Sequence, residues 1–170
     1  VGRRLMPDSR PIGVFDSGLG GLTVAKAIKA KLPNENIVYL GDTARVPYGN
    51  KSTLLVTDYA TQITNFLLEE NAKLIVVACN TASALALPAL QSEFQVQILG
   101  VILPGSKAAV HATRNKHVGV IGTIATINSN AYSQALNEID SSIQITAQAC
   151  PLFVPLVEEG WLNGPVPSEV

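Results

Sequence analysis

The chain has 170 residues, which suffices for one domain with a sizeable core and is short for two. Its net charge of −1 comes without a basic cluster beyond Arg3 and Arg4, so nothing in it points to binding of nucleic acid or of an anionic membrane surface. Charged residues make up 15% of the chain, against about 25% in typical soluble domains. This sparse charge predicts that part of the surface is covered by another subunit or by further sequence.

The first ten residues are polar and lack the apolar core of a signal peptide, so we expect residues 1–10 to form a disordered extension. The apolar runs that follow are no longer than a strand, and no transmembrane helix is predicted. Two cysteines, Cys79 and Cys150, are too few for a disulfide framework and favour a reducing, cytoplasmic location.

Strand-like and helix-like stretches alternate from residue 11 onward. Strands are predicted near residues 12–15, 37–40, 74–77, 97–102, 117–121 and 143–147. Helices are predicted near residues 22–31, 52–70, 82–94, 105–114, 128–138 and 152–159. The alternation indicates the α/β class, with parallel strands, right-handed helical crossovers and helices on both faces of the sheet.

The grouping of these elements predicts two similar α/β domains, one over residues 11–97 and a second, incomplete one over residues 98–170. The loop that follows the strand at 117–121 is the second domain's expected contribution to a shared cleft, because the hydroxyls of Thr123 and Thr126 can bind a carboxylate. For Thr126, helix capping is an equally good explanation. For Thr123 we favour contact with a ligand.

Polar residues follow the first two predicted strands. The first strand ends in Asp16 and Ser17, and the second ends in Asp42 and leads to Tyr48 and Gly49. The carboxyl ends of parallel strands meet at one edge of the sheet, which is where open α/β folds bind ligands. We therefore expect these residues to lie in one crevice with the end of the third strand.

Cys79 stands between the apolar run at 74–78 and the small polar residues Asn80 and Thr81, which begin a helix. A thiol at the end of a strand, beside free helix N–H groups, is expected to ionise more easily because those donors and the helix dipole favour the thiolate. Cys79 is therefore a candidate acid/base group or nucleophile. The alternative is a buried thiol that acts as a small hydrophobic side chain.

Three segments taken together closely resemble the bacterial glutamate racemases of the aspartate/glutamate racemase family. They are Asp16-Ser17-Gly18 with Gly20-Gly21, Gly41-Asp42-Thr43-Ala44-Arg45 with Pro47-Tyr48-Gly49, and Ala78-Cys79-Asn80-Thr81-Ala82. A fourth segment of the same family is similar to Pro155-Leu156-Val157-Glu158-Glu159-Gly160. The likeness runs in order and with compatible spacing from about residue 11 to residue 170.

The resemblance implies an isomerase that interconverts L- and D-glutamate by two-base proton transfer at the α-carbon, without pyridoxal phosphate or metal. Cys79 matches one of two catalytic thiols. Asp42 and Glu158 match carboxylates proposed to assist the acid/base groups, with simple solvation as the alternative for both. The matching substrate-contact positions are Asp16, Ser17, Tyr48, Gly49, Asn80 and Thr81. No metal ligand is expected, since His111 and His117 look like surface residues.

The resemblance also implies a biological setting. The D-glutamate would supply peptidoglycan and so support cell-wall biogenesis and cell shape, in the cytoplasm. The implied partner is the small-molecule substrate glutamate, with no nucleic acid and no membrane, and the full-length enzyme would be a homodimer.

The chain departs from the family pattern at one point. The family's second thiol lies in a Gly-Cys-Thr-His-Tyr-Pro type of segment, and these 170 residues contain none. Cys150 precedes Pro151 in a stretch that matches the family upstream of that thiol, so it is not expected to replace it. The chain is therefore interpreted as the N-terminal part of a longer enzyme and is expected to be inactive by itself.

Other functions fit the residues less well. Gly18 and Gly20 after a strand suggest a dinucleotide-binding domain, but the third glycine of that fingerprint would be Thr23, and Asp16 would lie near the pyrophosphate. An aspartyl phosphotransferase would need a second acidic residue close to Asp16, and Gly18 stands two residues on. A racemase of aspartate or another amino acid, and a ligand-binding protein without activity, stay open as alternatives.

Overall fold

The computed structural model of the protein describes residues 8–169. Its strands are β1 (Ile12–Asp16), β2 (Ile37–Gly41), β3 (Leu74–Val77), β4 (Gln97–Gly100), β5 (His117–Gly122) and β6 (Gln144–Ala149). Its longer helices are α1 (Leu22–Lys31), α2 (Thr53–Glu69), α5 (Ile102–Ala112) and α7 (Ala131–Ile139). Shorter helices are α3 (Asn80–Leu85), α4 (Leu87–Glu93), α6 (Ile124–Asn128), α8 (Phe153–Glu158) and α9 (Pro165–Ser168), and a 3₁₀ turn spans Tyr48–Asn50.

The strands form two parallel sheets. The first has the order β2-β1-β3-β4, with Ile12 of β1 opposite Ile37 on one side and Leu74 on the other. The second pairs β5 with β6, and His117 lies opposite Gln144. Parallel strands joined by helices are what the alternating sequence pattern predicts, and the α/β class is confirmed.

Helices cover both faces of the first sheet because successive strand side chains point to opposite sides. Phe15 and Val77 pack with residues of α2, α3 and α4. Val14 and Val76 face the other way and pack with residues of α1. The β1 side chains are all buried, as expected of a central strand in a parallel sheet.

Prolines account for two differences between the predicted and observed helices. The helix predicted over 82–94 is two helices, α3 and α4, which meet at Ala86. Pro88, at the start of α4, has no N–H to continue the ladder, so the chain begins a new helix there. The strand predicted over 97–102 ends at Gly100, and α5 begins at Ile102, with Pro104 in its first turn, where a missing N–H leaves no helical hydrogen bond unmade.

The division between the sheets lies later than the predicted domain boundary. A boundary between residues 97 and 98 falls inside β4, and β4 pairs with β3 in the first sheet. The change of sheet occurs between Gly100 and His117, across α5. Whether the chain divides there into two domains stays a prediction.

The predicted N-terminal extension falls mostly outside the described residues, since residues 1–7 are not among them. Asp8 pairs with Arg10 at 2.8 Å, and its carbonyl accepts a hydrogen bond from Lys73 at 2.6 Å. From residue 8 to residue 169, no helix combines the length and the apolar character needed to cross a membrane.

Candidate functional site

A cleft of about 630 Å³ opens at the carboxyl ends of β1 and β3 and extends to β5 and α5. Among the residues that line it are ten that the sequence singled out: Asp16, Ser17, Tyr48, Gly49, Cys79, Asn80, Thr81, Thr123, Thr126 and Glu158. Those that follow β1, β2 and β3 gather here because parallel strands deliver their carboxyl ends to one edge of the sheet, whereas Thr123 and Thr126 follow β5 and Glu158 belongs to α8. Asp42 is not part of this lining.

Asp16 is the last residue of β1 and is 7% exposed. Its Oδ2 accepts hydrogen bonds from the backbone N–H groups of Gly18 at 3.1 Å and Gly21 at 3.0 Å. These bonds wrap the loop between β1 and α1 around the carboxylate. The result is a negative charge held rigidly at the edge of the cleft, where it can accept a hydrogen bond from an ammonium group.

Cys79 is the N-cap residue of α3 and is 4% exposed. Its Sγ accepts a hydrogen bond from the N–H of Ala82 at 3.4 Å, and the thiol donates to Ser17 Oγ at 3.4 Å. This places the sulfur between the loop after β1 and the first turn of α3. A proton donor or acceptor at this point faces whatever occupies the cleft.

The expectation that Cys79 ionises more easily than an ordinary thiol is wrong for this structure. Burial, followed by the negative charge of Asp16, raises the pKa of Cys79. Hydrogen bonding with Ser17 and Ala82 lowers it and does not outweigh those two effects. In this state the sulfur carries its proton at neutral pH, and it is an acid rather than a nucleophile.

Asp42 lies behind the cleft, where it is 7% exposed. Its Oδ2 accepts a hydrogen bond from the Tyr48 hydroxyl at 2.5 Å and pairs with Arg45 Nε at 2.7 Å. The carboxylate is therefore neither solvated nor directed into the cleft. Burial and the bond to Asp42 raise the pKa of Tyr48.

Three threonine hydroxyls form a closed cluster across the cleft. Thr81 Oγ1 lies 3.0 Å from Thr123 Oγ1 and 3.2 Å from Thr126 Oγ1, and the last two are 2.9 Å apart. Thr123 caps α6, since its Oγ1 accepts a hydrogen bond from the N–H of Thr126 at 3.2 Å. Helix capping thus falls to Thr123, and the buried Thr126 supports the other two hydroxyls.

Two further contacts join the parts of the cleft that come from different sheets. A Cβ placed on Gly49 would overlap the side chain of Thr123, so the 3₁₀ turn approaches α6 as closely as a glycine allows. The Tyr132 hydroxyl donates a hydrogen bond to Asn80 Oδ1 at 2.6 Å. Tyr132 was not among the predicted residues, and its position in a helical stretch carries no signal for this role.

Glu158 reaches the loop between β1 and α1 from α8. Its Oε1 accepts a hydrogen bond from the N–H of Leu19 at 3.4 Å, and its carboxylate would overlap a Cβ on Gly18. Tyr39 also holds this loop, because its hydroxyl donates to the carbonyl of Gly18 at 3.0 Å. Burial, followed by the negative charges of Asp16 and Glu158, raises the pKa of Tyr39 to about 12.

The cleft also contains residues that sequence analysis did not assign to it. Cys150 lines it, with its N–H donating to the carbonyl of Gly122 at 2.8 Å. Ser106 lines it from α5 with a buried hydroxyl that has no hydrogen-bond partner among residues 8–169. Across that same range, no group of three or more His, Cys, Asp or Glu side chains is placed to hold a metal ion. His111 and His117 are exposed.

Comparisons with known proteins agree on one family. A family model described as Asp/Glu/hydantoin racemase matches residues 22–160. The glutamate racemase of Syntrophus aciditrophicus is 55% identical over 160 residues, which cover 94% of this chain and 59% of that protein. The glutamate racemase of Geobacter metallireducens is 54% identical over 157 residues, with coverage of 92% and 58%. The chain thus spans less than two thirds of the length of these relatives.

Solved structures give the same result. The glutamate racemase of Francisella tularensis in complex with D-glutamate is 42% identical and superposes with a TM-score of 0.87, over 96% of this chain and 61% of that one. The glutamate racemase of Aquifex pyrophilus is 51% identical, with a TM-score of 0.82 and coverage of 94% and 62%.

Proposed function

The chain belongs to the Asp/Glu/hydantoin racemase family, and from this premise we propose that the whole protein carrying these residues interconverts L- and D-glutamate. The observation that carries the proposal is the Cys79 thiol in a cleft that it shares with the Asp16 carboxylate and the hydroxyl cluster. A free amino acid presents an ammonium group, carboxylates and an α-proton. This combination of a negative charge, polar donors and an acid/base group suits all three.

Racemisation needs two groups on opposite faces of the α-carbon. One removes the α-proton, and the electron pair left on carbon is delocalised into the neighbouring carboxylate. The other returns a proton to the opposite face. Because its thiol is protonated, Cys79 donates in one direction of the reaction, and as the resulting thiolate it accepts in the reverse direction.

The second group is proposed to be the other thiol that the family resemblance implies, rather than Cys150. The reaction then needs neither pyridoxal phosphate nor metal. Since inversion requires both groups, we expect the 170-residue chain by itself not to racemise glutamate.

The remaining cleft residues are proposed to bind the substrate. Asp16 would accept from the ammonium group, because its carboxylate lines the cleft and its negative charge acts on the thiol. The carboxylates would take hydrogen bonds from polar donors that line the cleft: Ser17, Asn80, Thr81, Thr123 and the backbone N–H of Gly49. Tyr48 holds that glycine in place. Glu158 would assist by fixing the loop after β1 and by adding negative charge beside it.

The proposal extends to the setting in which the reaction occurs. D-Glutamate made in the cytoplasm would supply peptidoglycan synthesis, and the whole protein would act as a homodimer. Solved relatives support a small-molecule substrate, since one of them is a complex with D-glutamate.

The test is racemisation of L-glutamate by the whole protein, followed by chiral chromatography, with deuterium uptake at the α-carbon in heavy water followed by NMR. Cys79→Ser should keep the fold and reduce turnover by a factor of about 10² or more, the usual contribution of a general acid/base group. The matched variant Cys150→Ser removes a cleft thiol to which no role in proton transfer is assigned, and it should retain activity. Near-wild-type turnover by Cys79→Ser would falsify the assignment.

Substrate choice is tested in the same assay. Faster turnover of aspartate than of glutamate would move the proposal to an aspartate racemase. Glutamate binding by the whole protein without exchange of the α-proton would favour a ligand-binding protein without activity.

A further inference from the structure

The 3₁₀ turn that forms one wall of the cleft is held from behind by a network of five side chains. Asp42 Oδ2 receives the Tyr48 hydroxyl at 2.5 Å and Arg45 Nε at 2.7 Å. The guanidinium of Arg45 lies 4.2 Å from the centre of the Tyr59 ring, and its Nη1 donates to Gln62 Oε1 at 2.8 Å. Tyr59 and Gln62 belong to α2, so the network ties that helix to the segment after β2.

Arg45 is the centre of this network because its contacts use three different parts of one planar group. Nε binds the carboxylate of Asp42, Nη1 binds an amide oxygen, and the flat face lies on an aromatic ring. A guanidinium engaged in this way has a fixed orientation. It also supplies the positive charge that a buried carboxylate needs, since the side chain of Asp42 is only 6% exposed.

The network reaches the cleft through Tyr48. That side chain is 1% exposed, and its hydroxyl has Asp42 as its partner. Gly49, the next residue, packs against Thr123 with no space for a Cβ. A small change in the position of the Tyr48 ring would therefore move the Gly49 backbone relative to Thr123 and change the shape of the cleft.

We propose that Arg45 is a positioning residue, which orients Asp42 so that Asp42 holds the Tyr48 hydroxyl and thereby sets the Tyr48–Gly49 wall of the substrate cleft. Asp42 then acts through Tyr48 and takes no part in proton transfer. The effect on substrate rests on the proposed function. The effect of Arg45 on the position of Gly49 does not rest on the proposed function, and it can be measured without substrate.

The experiment compares Arg45→Met and Arg45→Lys in the whole protein. Arg114→Met is the matched control, since Arg114 is exposed and does not line the cleft. Under the proposed function, the wall contacts substrate in the ground state and in the transition state alike. Arg45→Met should therefore raise KM for both enantiomers about tenfold. This is the effect expected from the loss of about one hydrogen bond. The value of kcat should change less than about threefold. Arg45→Lys keeps the charge but not the planar group and should not restore KM.

A second measurement tests coupling through the hydroxyl. Tyr48→Phe removes only the atom that binds Asp42 and should raise KM to a similar extent. In the double variant, KM should be little higher than in Tyr48→Phe alone, because both substitutions break the same connection between Arg45 and Tyr48. Additive effects of the two substitutions would overturn the proposal.

The third measurement needs no substrate. With glycine labelled by ¹⁵N, the Gly49 amide resonance should shift or broaden in Arg45→Met, while that of Gly119 in β5 should not change. If glutamate is not turned over by the unmodified protein but Gly49 moves, the proposed function fails and the positioning role stands. An unmoved Gly49 with unchanged KM, or a loss of kcat at constant KM in Asp42→Asn, would overturn the positioning role.

Discussion

At the scale of single residues, Cys79 illustrates two opposite effects on one thiol. The N–H of Ala82 and the hydroxyl of Ser17 stabilise a thiolate, whereas burial and the charge of Asp16 destabilise it. The second pair is stronger, because a nearly inaccessible sulfur has lost most of its hydration and Asp16 lines the same cleft. The thiol is therefore an acid in this state, and a bound ammonium group that neutralises Asp16 would lower its pKa and favour the thiolate.

This balance predicts the pH dependence of alkylation in the 170-residue chain. Only the thiolate reacts with iodoacetamide, so the rate at Cys79 should rise with pH above the ordinary thiol value of about 8.5. Asp16→Asn removes the negative charge and keeps an oxygen for the N–H groups of Gly18 and Gly21. It should lower the pKa of Cys79 and increase the alkylation rate at about pH 8, measured by peptide mass spectrometry.

The control for this measurement is Asp58→Asn, which removes a carboxylate from the exposed side of α2. Its alkylation rate should equal that of the unmodified chain. A rate in Asp16→Asn that is equal or slower would mean that Asp16 does not act on the sulfur.

At the scale of elements, the 3₁₀ turn and α6 form a tight junction in the cleft. The turn follows β2 of the first sheet and α6 follows β5 of the second. The two approach closely because Gly49 has no side chain where Thr123 packs. Thr123 is itself held by its cap to α6 and by the hydroxyls of Thr81 and Thr126. Neither partner can give way without breaking hydrogen bonds.

Gly49→Ala should therefore destabilise the protein by about 1–3 kcal/mol, the usual cost of forcing a methyl group into a packed site. It should also weaken glutamate binding, since the wall of the cleft must shift. Gly119→Ala is the matched control for stability, because a Cβ there meets no atom within 4 Å. It should leave the free energy of unfolding equal or raise it by up to about 1 kcal/mol, as alanine is favoured over glycine in a strand.

Urea unfolding of both variants checks this prediction, together with titration of glutamate by calorimetry. Equal stability of the two alanine variants would show that Thr123 can move away from the turn at no cost.

At the scale of the whole molecule, buried acidic groups govern stability at high pH. Burial raises the pKa of Cys79, of Tyr48 and of Tyr39, the last to about 12. A group with a higher pKa in the folded state holds its proton more tightly there than in the unfolded chain. Its stabilising contribution is complete below the unfolded pKa and is lost as pH rises toward the folded value.

The unfolded values are about 8.5 for cysteine and about 10 for tyrosine, so stability should fall progressively above about pH 8.5. The midpoint of urea unfolding, measured from about pH 7.5 to about pH 10.5, should decrease over that range. Tyr48→Phe removes one of the buried groups and should flatten the upper part of the curve. A midpoint that rises with pH would contradict the prediction.

The sequence by itself determined the class of fold and the location of the site. Apolar runs of strand length that alternate with helical stretches lead to parallel sheets, and such sheets bring their carboxyl ends to one edge. The residues at those ends, among them Asp16 and Cys79, therefore meet in the cleft whatever the details of packing. The family resemblance is confirmed by the match over residues 22–160.

Only the tertiary structure decided how these groups are used, because the deciding contacts join residues far apart in the chain. The burial that raises the pKa of Cys79 depends on the packing of several elements around it. Asp42 turns toward Tyr48 and Arg45 and away from the cleft, a choice between side-chain directions that strand position leaves open. The bond from Tyr132 to Asn80 spans 52 residues, and it exists because α7 and α3 pack beside the same cleft. Local periodicity carries no information about such contacts, since they depend on how the two sheets and their helices pack together.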